Sequence, residues 1–304
     1  MRILVLGSTG FLGGHIAGQL RTLPGVRVLG GGRSVDPGLP LNLLVDLAAI
    51  SVAGLARSLR ALAPDAVVNC AGAVSGDPVR MAETNARGPA VLCEALREAA
   101  PGARLVHLGS AAEYGPTPAG QILTESSPVS PQGTYGATKL AGSYAVTEAG
   151  RTGLDTVVLR VFNPLGPGSP AASLPGRLAD ELRRALPDGT VTVGDLSAYR
   201  DFVDARDVAR AAVLAATTPG PLPAVLNIAG GTATRARDLA EELARVAGYR
   251  GPIEERGAGS QRSSAVSWQR ADVSAAADAL GWRPELTLAD SLAALWAGHT
   301  KVPA

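Results

Sequence analysis

Cysteine is almost missing. Cys70 and Cys93 are the two in 304 residues, they form no C-x-x-C pair, and the histidines are three: His15, His107 and His299. That excludes a disulfide framework and leaves no ligand set from which a zinc site could be assembled, so no metal is expected. The two cysteines read as small buried residues and the three histidines as structural, one on the first helix, one in a strand and one in the tail. An excess of charge of one sign is also lacking: Lys and Arg total 28 against 27 Asp and Glu, with no block of like charges to track a phosphate backbone. Nucleic acid is therefore not an expected partner. Although 46% of the residues are hydrophobic, no apolar run approaches the roughly 18 residues of a membrane span. The opening Met1-Arg2-Ile3-Leu4-Val5-Leu6-Gly7 turns glycine-rich before a signal-peptide h-region can form. The chain thus reads as cytoplasmic, with no membrane partner. What is abundant is glycine (37) and proline (22), the residues of tight turns, in a chain long enough for one large α/β domain or a nucleotide-binding domain with a companion. Chemistry must come from hydroxyls, lysine or a bound cofactor.

Apolar runs at 2–6, 26–29, 66–69, 104–108 and 156–161 alternate with helical spacing at 11–23, 52–62, 90–99 and 135–148. That alternation predicts βαβ units around a parallel sheet, and the runs are continuously apolar, as strands covered on both faces should be. Gly30-Gly31-Gly32 reads as a break after the second strand. Past Asn163 the chain loosens into Pro164, Gly166, Pro167, Gly168, Pro170 and Pro175 and is expected to leave the sheet. Segments 203–216 and 225–228 look like a return to it, and 236–247 and 273–280 like helices of a second lobe.

Between the first strand and the first helix stands Gly7-Ser8-Thr9-Gly10-Phe11-Leu12-Gly13, a G-x-x-G-x-x-G loop. Its glycines let backbone approach a pyrophosphate, and the helix N-terminus behind it offers free N–H groups and a positive dipole. A bare strand-to-helix turn explains such glycines less well in this context, so the loop points to a dinucleotide. The expected fold is accordingly α/β: a Rossmann-type doubly wound parallel sheet from residues 1–164 and 201–228, with a smaller C-terminal substrate-binding lobe from 165–200 and 229–304. Arg33 lies 20 residues beyond Gly13, where an acid would bind a ribose 2′-hydroxyl and an arginine a 2′-phosphate. With Ser34 beside it and Asp36 further into the loop, Arg33 favours NADP over NAD, the alternative being a solvated loop arginine. Asp46-Leu47 can meet the adenine, or Asp46 can cap a helix.

Tyr135-Gly136-Ala137-Thr138-Lys139 places a phenol and an ammonium at i and i+4 on one helix face, after Pro131 and Gly133. A free phenol has a pKa near about 10, and a neighbouring cation stabilises its anion, easing proton transfer at neutral pH. Ser110, just past the 104–108 run, can direct a second hydroxyl at the same carbonyl oxygen.

Together these residues resemble the extended short-chain dehydrogenase/reductase family, whose members mostly act on nucleotide sugars. The resemblance continues through Asn69-Cys70-Ala71-Gly72, Asn85, Gly109-Ser110-Ala111-Ala112-Glu113-Tyr114-Gly115, the stretch from Leu159 to Gly168, Arg200-Asp201-Phe202-Val203-Asp204, Asn227-Ile228-Ala229-Gly230-Gly231 and Leu280-Gly281-Trp282-Arg283-Pro284. It implies that Tyr135 exchanges the proton, that Lys139 lowers its pKa and holds the nicotinamide ribose, and that Ser110 orients the substrate oxygen. It sets Gly7, Thr9, Gly10, Phe11, Leu12, Gly13, Ala71 and Gly72 against the cofactor. Asn85 would order the active-site helix, its plainer role being an N-cap for the helix at 90–99. Asn163, Arg200 and Arg262 fall where family members contact a nucleotide diphosphate, which a planar guanidinium binds bidentately, although Arg262 is also explained as a solvated loop charge. A homodimer is compatible with the resemblance.

Members that dehydrate sugars resemble one another in a Thr-Asp-Glu run; here Ser110-Ala111-Ala112 stands instead, without the acidic pair. The Glu113-Tyr114-Gly115 ending and the Gly194 to Asp207 segment look most like the family's GDP-4-keto-6-deoxy-D-mannose reductases and related nucleotide-sugar 4-ketoreductases. The expected activity is NAD(P)H-dependent reduction of a nucleotide-activated 4-keto-6-deoxy sugar. The alternatives are an NAD-dependent nucleotide-sugar 4-epimerase, a reductase of a non-sugar ketone, and a non-catalytic NADP-binding regulator.

Overall fold

The computed structural model describes residues 1–257 and 266–299. In β1 (Arg2–Leu6), Ile3 and Val5 enter one hydrophobic cluster while Leu4 and Leu6 enter another. Alternating side chains of one apolar run are thus buried on opposite faces, the situation of a central parallel strand. Then come α1 (Phe11–Leu20), β2 (Arg27–Gly32), β3 (Asn42–Leu44), α2 (Val52–Leu62) and β4 (Ala66–Asn69). They are followed by α3 (Pro78–Ala82), a π-helical turn Glu83–Arg87, α4 (Gly88–Ala99), β5 (Arg104–Ser110), α5 (Gly133–Arg151) and β6 (Thr156–Val161).

With the strand Val225–Ile228 beside β6, these strands form a seven-stranded sheet in the order Val225–Ile228, β6, β5, β4, β1, β2, β3, and every pairing is parallel. Helices α2, α4 and α5 cover one face, and α1 with the helix Ala205–Thr217 covers the other. The winding reverses between β1 and β4, and the crevice at such a reversal is where doubly wound sheets bind ligands. A separate hydrophobic cluster, apart from the two that cover the sheet, is built from Leu178, Leu182, Leu239, Leu243, Leu292 and their neighbours. Among the described residues no helix is long and apolar enough to cross a membrane.

Several local expectations are corrected. Gly30-Gly31-Gly32 does not break the second strand. β2 runs through it and pairs with β3, which the sequence pattern missed. Glycine is used there because its neighbours come too close: a Cβ on Gly30 would stand 2.9 Å from Leu39 and one on Gly31 2.7 Å from Leu6. α1 stops at Leu20 and not at 23, because Pro24 disfavours helical backbone just before it, and Thr22 and Leu23 close shorter turns onto Gln19 and Leu20. The segment 203–216 is only briefly extended, at Val203–Asp204; the Asp204 carboxylate then accepts from the Arg206 N–H at 2.7 Å and caps the helix Ala205–Thr217. Its alanines are buried nearly all round, which imitates a strand run in sequence. The helix Ser274–Leu280, expected in the lobe, sends Ala276 and Leu280 into the sheet's cluster beside the fully buried Trp282. His299 closes the helix Leu288–His299 and does not lie in a tail.

Candidate active site

The ends of β1, β2 and β4 border a cleft of about 420 Å³ lined by Gly7, Thr9, Gly10, Arg33, Asp46, Leu47, Ala71 and Gly72, all expected from the sequence. Gly7 adopts φ +81°, and its N–H donates to Gly31 O across the strand ends at 2.6 Å, while the Gly10 N–H returns to Gly7 O at 2.9 Å. A Cβ on Gly13 would stand only 2.0 Å from the Gly7 carbonyl oxygen. The third glycine therefore seats α1 on the loop. This compact turn, with a helix N-terminus behind it and no side chain at Gly7 and Gly10, suits a pyrophosphate. Phe11 and Leu12 begin α1 beside the cleft: Leu12 packs on the sheet and the Phe11 ring meets His15 edge-on at 5.5 Å.

At the far end of the cleft stand Arg33 and Ser34. Asp36, the alternative ribose ligand, is committed to its own turn, where its carboxylate accepts from the Gly38 N–H at 3.0 Å. Asp46 does not cap α2, since Ser51 does so by accepting from Gly54 at 3.1 Å. Instead Asp46 takes the Ala48 N–H and a 2.6 Å ion pair from Arg80, whose guanidinium beside it holds the carboxyl below the usual range. Arg80 and Thr84 also line the cleft and were missed in sequence. Nothing local marks them; α3 and the π-helical turn bring them there from across β4.

The hydroxyl and ammonium groups gather at the end of β5. Ser110 caps a 3₁₀ turn, Ala111–Glu113, and its Oγ accepts from the Ala112 N–H at 3.2 Å. That leaves the hydroxyl proton to be donated elsewhere. The first turn of α5, with Tyr135, lies directly against this segment, for a Cβ on Gly136 would stand 2.6 Å from Ala112 O. Lys139, 6% exposed, donates from Nζ to Leu108 O at 2.6 Å, two residues before Ser110. Burial pulls its pKa below the usual value, with Glu113 opposing. Asn85 is no N-cap. It sits in the π-helical turn, exchanges two hydrogen bonds of 2.8 Å with the Ala73 backbone on the cleft wall and donates to Thr138 Oγ1 at 3.2 Å. One amide side chain thereby ties the cleft to α5.

Asn163 and Arg200 stand near each other, Asn163 bonding the residue that follows Arg200. Asn163 donates to Asp201 O at 2.9 Å and to Gln269 at 3.2 Å; Arg200, 8% exposed, donates to Tyr199 O at 2.9 Å and Val266 O at 2.7 Å. Asp201 accepts from Gly230, Gly231 and Ala271, Asp204 pairs with Arg206 and Asp207 with Arg210. Arg262 lies outside the described residues.

A dinucleotide cleft at a sheet's winding reversal, next to a strand-end serine and to a tyrosine and a buried lysine that share one helix, defines the class of short-chain dehydrogenase/reductase enzymes. Residues 3–229 match the model of the NAD dependent epimerase/dehydratase family, and the chain belongs to that family. A dTDP-6-deoxy-L-talose 4-dehydrogenase (NAD(P)(+)) of Kitasatospora kifunensis is 37% identical over 99% of this chain and 96% of its own. A GDP-6-deoxy-D-mannose reductase of Pseudomonas aeruginosa is 28% identical over 97% and 95%. Among solved structures, RMD from Pseudomonas aeruginosa complexed with NADPH superposes with a TM-score of 0.83 at 27% identity, and MoeE5 in complex with UDP-glucose and NAD with 0.86 at 27%, each covering 99% of both chains.

Proposed function

We propose that this enzyme is an NAD(P)H-dependent reductase that adds hydride to C4 of a nucleotide-activated 4-keto-6-deoxy sugar. One observation sets dehydration aside. The only acid between Ser110 and Tyr114 is Glu113, which is 0% exposed and paired with Arg160 at 2.9 Å, so it cannot serve as the acid or base of a dehydration. What remains at the site is chemistry on a carbonyl. The nicotinamide, when bound, supplies or accepts the hydride. Tyr135 gives its proton to the sugar C4 oxygen, the Lys139 ammonium stabilises the phenolate left behind, and Ser110 donates its hydroxyl to the same oxygen. We read the sheet domain as holding the cofactor and the lobe as holding the nucleotide. The relatives named for 4-position oxidoreduction of 6-deoxy sugars support this choice. The test is to mix the protein with NADPH or NADH and a panel of nucleotide 4-keto-6-deoxy sugars and follow absorbance of the reduced cofactor; no consumption with any of them would sink it. A second reading is favoured by relatives named UDP-glucose 4-epimerase at 28 to 30% identity. It requires NAD retained through purification and sugar inversion without net cofactor use.

Arg33 in the cleft, with Asp36 turned away, supports NADP. Arg33→Ala is expected to weaken NADPH binding about ten- to a hundredfold, the worth of charge-assisted hydrogen bonds to a 2′-phosphate, and to leave NADH nearly unchanged. Equal losses for the two cofactors would return Arg33 to the solvated loop.

Arg200→Ala is expected to lower kcat/KM for the nucleotide sugar by more than about tenfold, since grip on a remote diphosphate positions the reacting carbon. Reduction of a small ketone should hardly change. Because Arg200 also holds Val266 O, the two substrates are compared on one preparation shown by its melting curve to be folded. Equal losses on the two would remove the diphosphate role.

A further inference from the structure

Glu113 has no part in the reaction just described, yet its carboxylate joins three elements of the site. Oε1 accepts from the Ser110 N–H at 2.8 Å and from the Ser143 hydroxyl at 2.8 Å, and Oε2 accepts from Arg160 Nε at 2.9 Å. Ser110 ends β5, Arg160 lies on β6, and Ser143 stands on α5 one helical turn beyond Lys139. Gly109 makes room for it: a Cβ there would be 2.8 Å from Glu113 Oε1 and 2.9 Å from Val158. The arginine is fixed in turn, its guanidinium 4.7 Å over the Tyr114 ring and the Tyr114 hydroxyl donating to Asn227 at 2.7 Å.

We propose that Glu113 is a positioning residue that locks the strand of Ser110 to the helix of Tyr135 and Lys139 and supplies the buried negative charge that Lys139 faces. The proposal rests on the reading of Ser110, Tyr135 and Lys139 as the catalytic set. The titratable groups around Lys139 are His107 on β5, Cys70 just past β4, Tyr135 on its own helix and Glu113. Burial, aided by Lys139 itself, holds His107 well below the usual imidazole range, and burial pushes the Cys70 thiol up to about 12. Those two are neutral at pH 7. Glu113 therefore opposes the burial that would strip the proton from Lys139. Arg160 balances Glu113 from β6, so losing the carboxylate would leave two buried cations without an anion between them.

The test uses the full chain and the dissociation constant of NADPH, read by nucleotide fluorescence across about pH 7 to 10, the range in which lysine and tyrosine titrate. Binding should weaken on the alkaline side as Lys139 loses its proton and its hold on the ribose. In Glu113→Gln that rise should begin about half a pH unit or more lower, because the facing negative charge is gone. Glu113→Asp keeps the charge but cannot span all three partners; it should retain the wild-type binding curve and lower kcat about tenfold or more with little change in KM. Should unpaired Arg160 prevent folding of Glu113→Gln, the double variant Glu113→Gln/Arg160→Gln has no unpaired buried charge at that pair and should show a smaller shift in the same direction. A folded Glu113→Gln or Glu113→Gln/Arg160→Gln protein whose curve overlays the wild type would overturn the proposal, as would a wild-type curve without an alkaline rise. A chain that folds only with the Glu113–Arg160 pair intact would assign the residue to the fold and overturn it too. The binding readout needs no sugar, so failure of every 4-keto substrate would remove the ketoreductase reading and leave this test standing.

Discussion

Tyr135→Phe is expected to lower kcat by at least about a hundredfold, within the range that a positioned general acid contributes, while the affinity for NADPH stays within about twofold. The asymmetry follows from the assigned roles. The phenol acts on the substrate oxygen, and phenylalanine keeps the ring that occupies the first turn of α5. Lys139 remains on Leu108 O and Ser110 on Ala112, so the groups around the missing hydroxyl keep their places. Single-turnover oxidation of bound NADPH by the 4-keto sugar separates loss of chemistry from slow product release. A Tyr135→Phe enzyme retaining a tenth of wild-type kcat would end the assignment of Tyr135 as the acid.

The largest effect on cofactor binding is expected from a single methyl group. Gly13→Ala puts a Cβ 2.0 Å from the Gly7 carbonyl oxygen, and the atoms it meets are backbone, so no side chain can swing aside. Either α1 lifts off the loop or the loop flattens, and each change takes N–H groups away from the pyrophosphate. Overpacking of this kind costs on the order of 1–3 kcal/mol or more. We expect a lower melting temperature and no saturation by NADPH or NADH at millimolar concentration. Gly18→Ala, five residues along the same helix, is the control: nothing lies within 4 Å of its Cβ position, and alanine there should raise stability by roughly 0.5–1 kcal/mol through helix propensity. If both variants bind cofactor like the wild type, the loop is not the pyrophosphate cradle.

Most of the fold was legible because its signals are local. A run such as Ile3-Leu4-Val5-Leu6 declares a strand buried on two faces, and the helical spacing at 52–62 has the bounds of α2. The glycine loop was legible for the same reason, as was the Tyr135/Lys139 pair, whose spacing of four is set by the helix itself. Where the local signal is ambiguous, sequence and fold part company. Three consecutive glycines mark a break as readily as a strand that two neighbours approach closely, and alanines buried all round a helix imitate the apolar run of a strand.

What the tertiary structure alone decided is which distant groups meet. Arg80 reaches Asp46 across 34 residues, Arg160 reaches Glu113 across 47 and Asn85 reaches Thr138 across 53. Spacing along the chain carries no trace of such pairs, because each depends on the order in which strands are laid into the sheet. An exposed arginine and a buried one are the same letter in the sequence; whether Glu113 is a solvated turn residue or the carboxylate joining β5, β6 and α5 is settled only when those three elements close around it and exclude water. The hydroxyl and ammonium groups proposed to do the chemistry were therefore legible in the chain itself. The electrostatics that tune them came from packing, since a charge acquires its partner and its low-dielectric surroundings only on burial.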